Sequence, residues 1–443
     1  MTYNEVLTHL NALQMHKIKL GLGAMQSFLA KVGRPETRIK TVHLAGTNGK
    51  GSVCAALAEI LTRSGYRVGV YTSPHLSSVR ERFRIGSRYI SEEEFGGLGT
   101  KICEVLGDEQ ITYFEFTTAL GFLWFAESDV DLVLLETGMG GRLDATNVVT
   151  PLVSVITSIS MDHEAYLGNS LEEIAGEKAG IIKPGVPVVS SATDSRAVSV
   201  IKTVCGEKNA PLYMLKEDFD YSCNEDGSWC WSGRERLGSI RLDHLRSGSP
   251  SLVQQENESV ALVVLALLEQ HGFSSSQGDI YSGIREMRWP GRMEYFSLPS
   301  PFGPEGEQLQ EGAAELHYLL DGAHNPAGVD NLSDTLKKAF GGRGLIGIWG
   351  AMFDKDLNAT LKSIAPLFDT LVITRPEGER SASPEQIYGL LTPEQQQKAE
   401  CVADVAEALQ TAQKKAGEKD LIVVGGSLYL IGAVRRLLRG ELA

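Results

Sequence analysis

Lys50, Ser52, Glu136, His163 and Lys178 are the side chains whose type and setting say most about this chain. Lys50 and Ser52 lie in Ala45-Gly46-Thr47-Asn48-Gly49-Lys50-Gly51-Ser52, a glycine-rich turn between the β-branched, apolar run 39–45 and the helix-forming run 53–61. A strand, a glycine loop and a helix N-terminus together hold phosphate: backbone N–H groups point inward and the helix dipole favours negative charge. Lys50 adds a mobile cation for β/γ-phosphates, and Ser52 offers a hydroxyl to a phosphate or its Mg²⁺. The spacing departs from the standard P-loop, because Gly46 stands only three residues before Gly49 and Gly51 separates Lys50 from Ser52. Many βα loops carry glycine merely to reach positive φ. Strand, Gly-Lys-Gly-Ser and helix in register nevertheless point to nucleotide binding.

Glu136 ends the buried-type strand 131–136 and opens Thr137-Gly138-Met139-Gly140-Gly141-Arg142-Leu143-Asp144-Ala145-Thr146-Asn147, a stretch too rich in glycine and polar groups for simple packing. A carboxylate at a strand tip beside a phosphate loop suits Mg²⁺, which takes hard oxygen ligands and keeps several waters. The competing reading is a helix cap. His163, between Asp162 and Glu164 after the strand 152–156, is open between a metal ligand and a satisfied structural histidine. The strand 67–72 runs into Ser73-Pro74-His75-Leu76, a polar loop at the strand end where α/β folds place ligands. Arg80, Arg82, Arg84 and Arg88 follow, and both a solvated hairpin face and a substrate-facing role remain open for them. Lys178 reads as a cation at a helix C-terminus.

These groups need a scaffold. At 443 residues the chain exceeds the ~250–300 residues at which one core stops growing, so two domains are expected. The formal charge of −14 argues against nucleic acid or an anionic membrane as a general partner, so any anionic ligand must be held by local cations. The six scattered cysteines fit no usual zinc spacing and read as reduced thiols. Met1-Thr2-Tyr3-Asn4-Glu5 has no basic or apolar leader pattern. The longest apolar run, 260–268, is half the ~20 residues of a membrane span, and a soluble cytoplasmic protein is expected. Helical spacing covers 4–32, 111–124, 255–271 and 276–287, with an exposed hairpin insertion around Trp229 and Trp231 within 216–250. Trp289-Pro290-Gly291-Arg292 stops the last of these helices and sets domains of 1–293 and 294–443. Strands 317–320, 345–349, 370–374 and 421–424 alternate with helices in the second half, a second α/β domain. Their polar ends, Asp321 to Pro326, Asp354-Lys355-Asp356, Arg375, Arg380-Ser381 and Gly425-Gly426-Ser427, form one rim expected to face the first domain.

The glycine turn, Thr72-Ser73-Pro74-His75-Leu76, the stretch from Glu136 to Asn147, Trp289-Pro290-Gly291-Arg292 and Asp321-Gly322-Ala323-His324-Asn325-Pro326 together resemble the folylpolyglutamate synthase/dihydrofolate synthase family of Mur ligases, in order along nearly the whole chain. The resemblance implies an α/β fold with a P-loop-type Mur ligase central domain and a C-terminal Rossmann-like domain. It implies an ATP-dependent amide ligase that activates a carboxylate of dihydropteroate or a reduced folate as an acyl phosphate and joins it to L-glutamate. On this resemblance Thr47, Asn48, Gly49, Lys50, Gly51 and Ser52 hold ATP phosphates, with Asn257, Arg292 and Asp321 also on the nucleotide. Ser73, Glu136 and His163 bind Mg²⁺ at two sites. Lys178 matches the lysine carbamylated in the family, and His324 lies near the reacting phosphate. Leu20, Gly21, Thr112, Tyr113, Phe114, Glu115, Leu143, Asp144 and Ala145 fall where the family holds the pterin, and Arg380 and Ser427 on the glutamate side. A monomer is expected.

Two departures stand out. The family pattern Gly-x-His-Gln-x-x-Asn-Ala appears as Ser251-Leu252-Val253-Gln254-Gln255-Glu256-Asn257-Glu258, and position 19 holds lysine where some bifunctional members have aspartate. A peptidoglycan-precursor ligase acting on a UDP-linked substrate is a rival, but the phosphate loop begins at residue 46 and leaves room for a helix pair, not a uridine-nucleotide domain. A non-catalytic nucleotide-binding scaffold should show gaps among Lys50, Glu136, His163, Lys178 and Asp321, and none is missing.

Overall fold

The computed structural model describes residues 1–13, 21–302, 315–378 and 380–440. The chain forms two compact units, one of Met1–His75, Arg80–Gly248 and Gln255–Met287, the other of Leu76–Val79, Ser249–Gln254 and Arg288–Ala443.

The first unit is built on eight strands: β1 (Thr41–Ala45), β2 (Val68–Tyr71), β3 (Phe83–Ile85), β4 (Arg88–Tyr89), β5 (Leu132–Glu136), β6 (Val153–Ile156), β7 (Val188–Ser190) and β8 (Leu212–Met214). They lie in the order β4-β3-β2-β5-β1-β6-β7-β8. Every residue of β1, β2, β5 and β6 is buried, as continuous apolar runs require when helices cover both faces of a parallel sheet. β1 pairs in parallel with β5, Leu44 opposite Glu136, and with β6, Ala45 opposite Ile156. The register brings the C-terminal ends of β2, β5, β1 and β6 to one edge, so the segments after Tyr71, Glu136, Ala45 and Ile156 leave the sheet side by side.

A separate antiparallel sheet joins β9 (Phe219–Cys223), β10 (Trp229–Gly233) and β11 (Arg241–Leu245) in the order β11-β10-β9. This corrects the expectation of an exposed hairpin. β10 alternates buried and half-buried positions, and Trp229 and Trp231 both fall on its buried side. The third strand pairs with β10 from the other edge, Trp231 opposite Leu242, which a two-stranded reading lacks.

The second unit carries β12 (Glu294–Pro299), β13 (Glu315–Leu320), β14 (Leu345–Trp349), β15 (Thr370–Ile373), β16 (Ala399–Cys401) and β17 (Leu421–Gly425), in the order β12-β13-β17-β14-β15-β16. All pairings are parallel except β12 with β13. Alternate residues feed opposite faces: Leu319 and Val423 join one core with Leu332 and Ile364, while Tyr318, Leu320, Ile422 and Val424 join another with Leu409 and Ile431. That period of two across a sheet covered on both sides gives the Rossmann-like layering.

Candidate active site

The glycine turn is shaped by its neighbours. Gly46 has φ +148°, and a Cβ there would lie 1.8 Å from Thr157 Oγ1. Gly49, at φ +93°, caps the helix Lys50–Arg63 and leaves 2.4 Å between a notional Cβ and Asn257 Oδ1. Only glycine fits either place. The segment after β6 clamps the turn: Thr157 Oγ1 donates to Asn48 O at 2.6 Å, Thr47 N–H donates to Ser158 O at 2.8 Å, and Thr47 Oγ1 accepts from Ser160 N–H at 3.1 Å. Lys50 Nζ donates to Gly46 O at 2.9 Å and Thr47 O at 3.2 Å, and stands 3.9 Å from Glu136 Oε1.

Glu136 is buried, and its Oε2 accepts from Ser73 N–H at 3.2 Å. Ser73 Oγ is buried with no partner among the described residues. A buried hydroxyl beside a buried carboxylate is an oxygen donor set of the kind Mg²⁺ takes. His163 follows β6 in the left-handed conformation, φ +52°, at the start of the helix Glu164–Leu167. Its backbone N–H donates to Asp162 Oδ1 at 2.9 Å, and its side chain is 43% exposed.

Lys178, in the last turn of the helix Leu171–Ala179, is not a surface cation. It is 4% exposed, and its Nζ reaches across to Gly46 O at 3.0 Å. Burial, with the charge of Lys50 adding to it, pulls its ammonium down to about 7, against the opposing pull of Asp162 and Asp144.

The loop after Glu136 is organised by Asp144. Its Oδ2 accepts from Gly138 N–H at 2.9 Å and Met139 N–H at 3.0 Å, while Oδ1 accepts from Thr146 N–H and the Thr146 hydroxyl. Burial raises the Asp144 carboxyl above the usual carboxylate range. Thr146 Oγ1 has one proton, and donating it to Asp144 leaves Oγ1 as an acceptor for His43 Nε2–H at 2.8 Å, which sets the tautomer of His43. Gly138 packs on Phe114, whose ring would lie 2.5 Å from a Cβ. Thr112 caps the helix Tyr113–Glu127 in a capping box that engages the Glu115 carboxylate. Leu143 is half-buried and Ala145 buried beside Asp144, Gly21 takes φ +148°, and Leu20 lies outside the described residues.

In the second unit, Asp321 follows β13 and is buried, with Oδ2 accepting from Met293 N–H at 2.8 Å and Oδ1 from Ala323 N–H at 2.9 Å. Burial raises its carboxyl and Arg292 partly offsets that. A Cβ on Gly322 would meet both Arg292 Nη1 and Leu428, so Arg292 and the helix Leu428–Arg439, capped by Ser427, gather beside Asp321. His324 Nδ1–H donates to Gly322 O at 2.7 Å. Arg380 is instead paired with Asp354 at 2.8 Å and largely exposed.

The Mur ligase middle domain matches residues 44–202, and the Mur ligase glutamate ligase domain matches residues 307–428. The dihydrofolate synthase/folylpolyglutamate synthase of Bacillus subtilis (strain 168) is 33% identical over 435 residues, covering 95% of this chain and 96% of that protein. The chain belongs to the dihydrofolate synthase/folylpolyglutamate synthase family of Mur ligases. Solved members of the family share its fold end to end. Escherichia coli FolC in complex with DHPP and ADP aligns with a TM-score of 0.86 at 30% identity, covering 100% of this chain and 99% of that one. A bifunctional folylpolyglutamate synthase/dihydrofolate synthase with Mn, AMPPNP and L-glutamate bound aligns with a TM-score of 0.84 at 31% identity, over 99% and 98% of the two chains.

At 251–258 the two departing residues sit in different settings. Val253 is 41% exposed, whereas Glu258 is fully buried and its carboxylate accepts from Ser247 Oγ. Glu258 thereby ties the helix Gln254–Leu268 to the end of the three-stranded insertion, and Asn257 keeps its place against Gly49. Sequence reasoning passed over His43 and Thr157. The available signals were a polar side chain inside an apolar strand and a Thr-Ser pair directly after one. All six cysteines are free, and among the described residues no helix is long and apolar enough to cross a membrane.

Proposed function

We propose that this chain, an ATP-dependent ligase, joins L-glutamate to dihydropteroate or to a reduced folate and its polyglutamates through an acyl phosphate. The observation that carries the reading is the meeting of Lys50, Lys178 and Glu136 at the glycine turn, two amines on one carbonyl with a buried acid 3.9 Å from the first. A carboxylate is a poor acyl donor because oxide leaves badly. An oxygen of the substrate carboxylate attacks the γ-phosphorus of ATP and ADP departs. The glutamate amine then attacks the acyl carbon, loses a proton, and phosphate leaves. Little covalent chemistry falls to the protein, whose tasks are positioning and charge stabilisation.

Lys50 and the N–H groups of Gly49, Gly51 and Ser52 hold the phosphates at the helix N-terminus, and Asn257, Arg292 and Asp321 serve the nucleotide. Ser73, Glu136 and His163 would hold divalent ions, which when bound neutralise phosphate charge and align the γ-phosphate. Gly21, Thr112 to Glu115 and Leu143 to Ala145 would serve the pterin, His324 the reacting phosphate, and Arg380 and Ser427 the incoming glutamate. Lys178 is poised for carbamylation, since only a neutral amine attacks CO₂ and burial, with the charge of Lys50 adding to it, lowers this ammonium to about 7, so that a large share of the amine is neutral near neutral pH. The nitrogen then loses a proton, and the side chain ends as an anion.

The test is phosphate release by the purified protein with MgATP. Release that requires both L-glutamate and either dihydropteroate or tetrahydrofolate supports the ligase. Nucleotide binding with no turnover on any of these combinations overturns it, and comparing the two acids assigns the preferred one.

A further inference from the structure

Arg82 immediately precedes β3, and its carbonyl accepts from Thr72 N–H at 3.2 Å. Its side chain therefore starts at the same sheet end as Ser73. The residue is 7% exposed. Its Nε–H donates to His75 Nδ1 at 3.0 Å, and its guanidinium carbon stands 5.5 Å from the centroid of the Tyr113 ring. Neither neighbour supplies negative charge, since a His75 that accepts at Nδ1 is the neutral imidazole. Arg80 and Arg88 in the same hairpin are paired with Glu92 and Glu94. Among the described residues no carboxylate forms an ion pair with Arg82. Burying a guanidinium without a counter-ion is costly, and a fold keeps one where a ligand supplies the anion.

Its position narrows what that anion is. From Arg82 the contacts run through Thr72 to Ser73, whose N–H reaches Glu136, which stands beside Lys50. On the other side Tyr113 opens the helix whose Phe114 packs on Gly138. Arg82 thus lies between the pterin-side segments and the phosphate loop. An acid awaiting phosphorylation must place its carboxylate in that interval.

Resting on the ligase reading above, we propose that Arg82 receives the reacting carboxylate of the pteroyl acid, its two Nη groups forming a fork to both oxygens, with His75 and Tyr113 fixing the plane of the guanidinium. Arg suits this role because its planar donors match a carboxylate in a way that an ammonium cannot.

The experiment measures equilibrium binding of dihydropteroate and of its neutral carboxamide, without ATP or glutamate, to wild type, Arg82→Gln and Arg82→Lys. Wild type should prefer the acid. Arg82→Gln should weaken the acid roughly 10- to 100-fold, the loss of one charge-assisted pair, and leave the carboxamide nearly unchanged. Arg82→Lys should fall between, and it decides the matter should the glutamine variant fail to fold. An unchanged affinity for the acid, or an equal loss for acid and amide, overturns the assignment of Arg82. A wild type that binds neither dihydropteroate nor tetrahydrofolate sinks the ligase reading itself, and this proposal with it.

Discussion

The Nζ atoms of Lys50 and Lys178 converge on a single oxygen, the carbonyl of Gly46, at 2.9 and 3.0 Å. Two full positive charges so close in a buried place repel strongly. Burial first, and the neighbouring charge of Lys50 second, draw the ammonium of the more buried Lys178 down to about 7, so it is the one that gives up its proton more readily. On the proposed reading, Lys50 keeps its charge for phosphate while Lys178 supplies the neutral amine that CO₂ requires.

That division of labour separates the two lysines by experiment. Lys178→Ala should lose turnover, and short carboxylic acids such as acetate should restore part of it by standing in for the carbamate. Wild type equilibrated with ¹³C-bicarbonate should show a carbamate carbon by NMR that the variant lacks. The signal should fade as pH drops below about 7, where the amine becomes charged. An unmodified lysine at pH 8, with no rescue by any acid, would rule out the carbamate.

Lys50→Ala should act on the transferring phosphoryl group. Removing one preorganised charge from such a site costs on the order of 10²–10³ in kcat. The lysine is part-buried and, among the described residues, bonds to its own turn and stands near one acid, so thermal unfolding should move little. Wild-type kcat in this variant would refute the phosphate-loop assignment.

Gly46→Ala tests the clamp rather than the charge. The added methyl would fall 1.8 Å from Thr157 Oγ1 at a φ of +148°, so the turn must shift away from the segment after β6. A strained backbone position costs about 1–3 kcal/mol, and the overlap with Thr157 adds to it. We expect a lowered Tm together with a raised KM for ATP. Gly49→Ala, which meets the Asn257 side chain instead, should raise the KM for ATP with the smaller loss of stability.

Much of this was legible because the informative residues are local. The glycine turn between a buried strand and a helix, and the acid ending a continuous apolar run, announce themselves without tertiary knowledge. β12 did not, because an antiparallel edge strand with mixed exposure carries no clean period. Trp229 and Trp231 looked exposed until a third strand paired with theirs. Lys178 could not be told from an ordinary last-turn lysine, since only the packing of its helix brings Nζ to a carbonyl 132 residues away in sequence. Arg82 was ambiguous for the same reason: four arginines in one hairpin read alike until their partners are seen.

His43, finally, makes stability depend on pH with a sign that can be worked out. It is fully buried in β1 with Nδ1 unpartnered among the described residues, and burial, helped by Lys183, lowers its pKa to about 3. An unfolded chain binds that proton near 6.5. Between pH 6.5 and 3 the unfolded state therefore holds more protons, so the native state is fully favoured above pH 6.5 and loses stability as pH falls through the window. At pH 5 the loss from this one residue is about 2 kcal/mol relative to pH 7.5. His75, also lowered to about 3 by burial and by Arg82, works in the same direction, while the raised carboxyl of Asp144 works against it. The difference between proteins isolates His43. His43→Gln keeps a donor for Thr146 but does not titrate, so in urea unfolding at pH 7.5 and pH 5 it should lose about 2 kcal/mol less than wild type does. Equal losses in the two proteins would mean that the buried imidazole takes up its proton without unfolding.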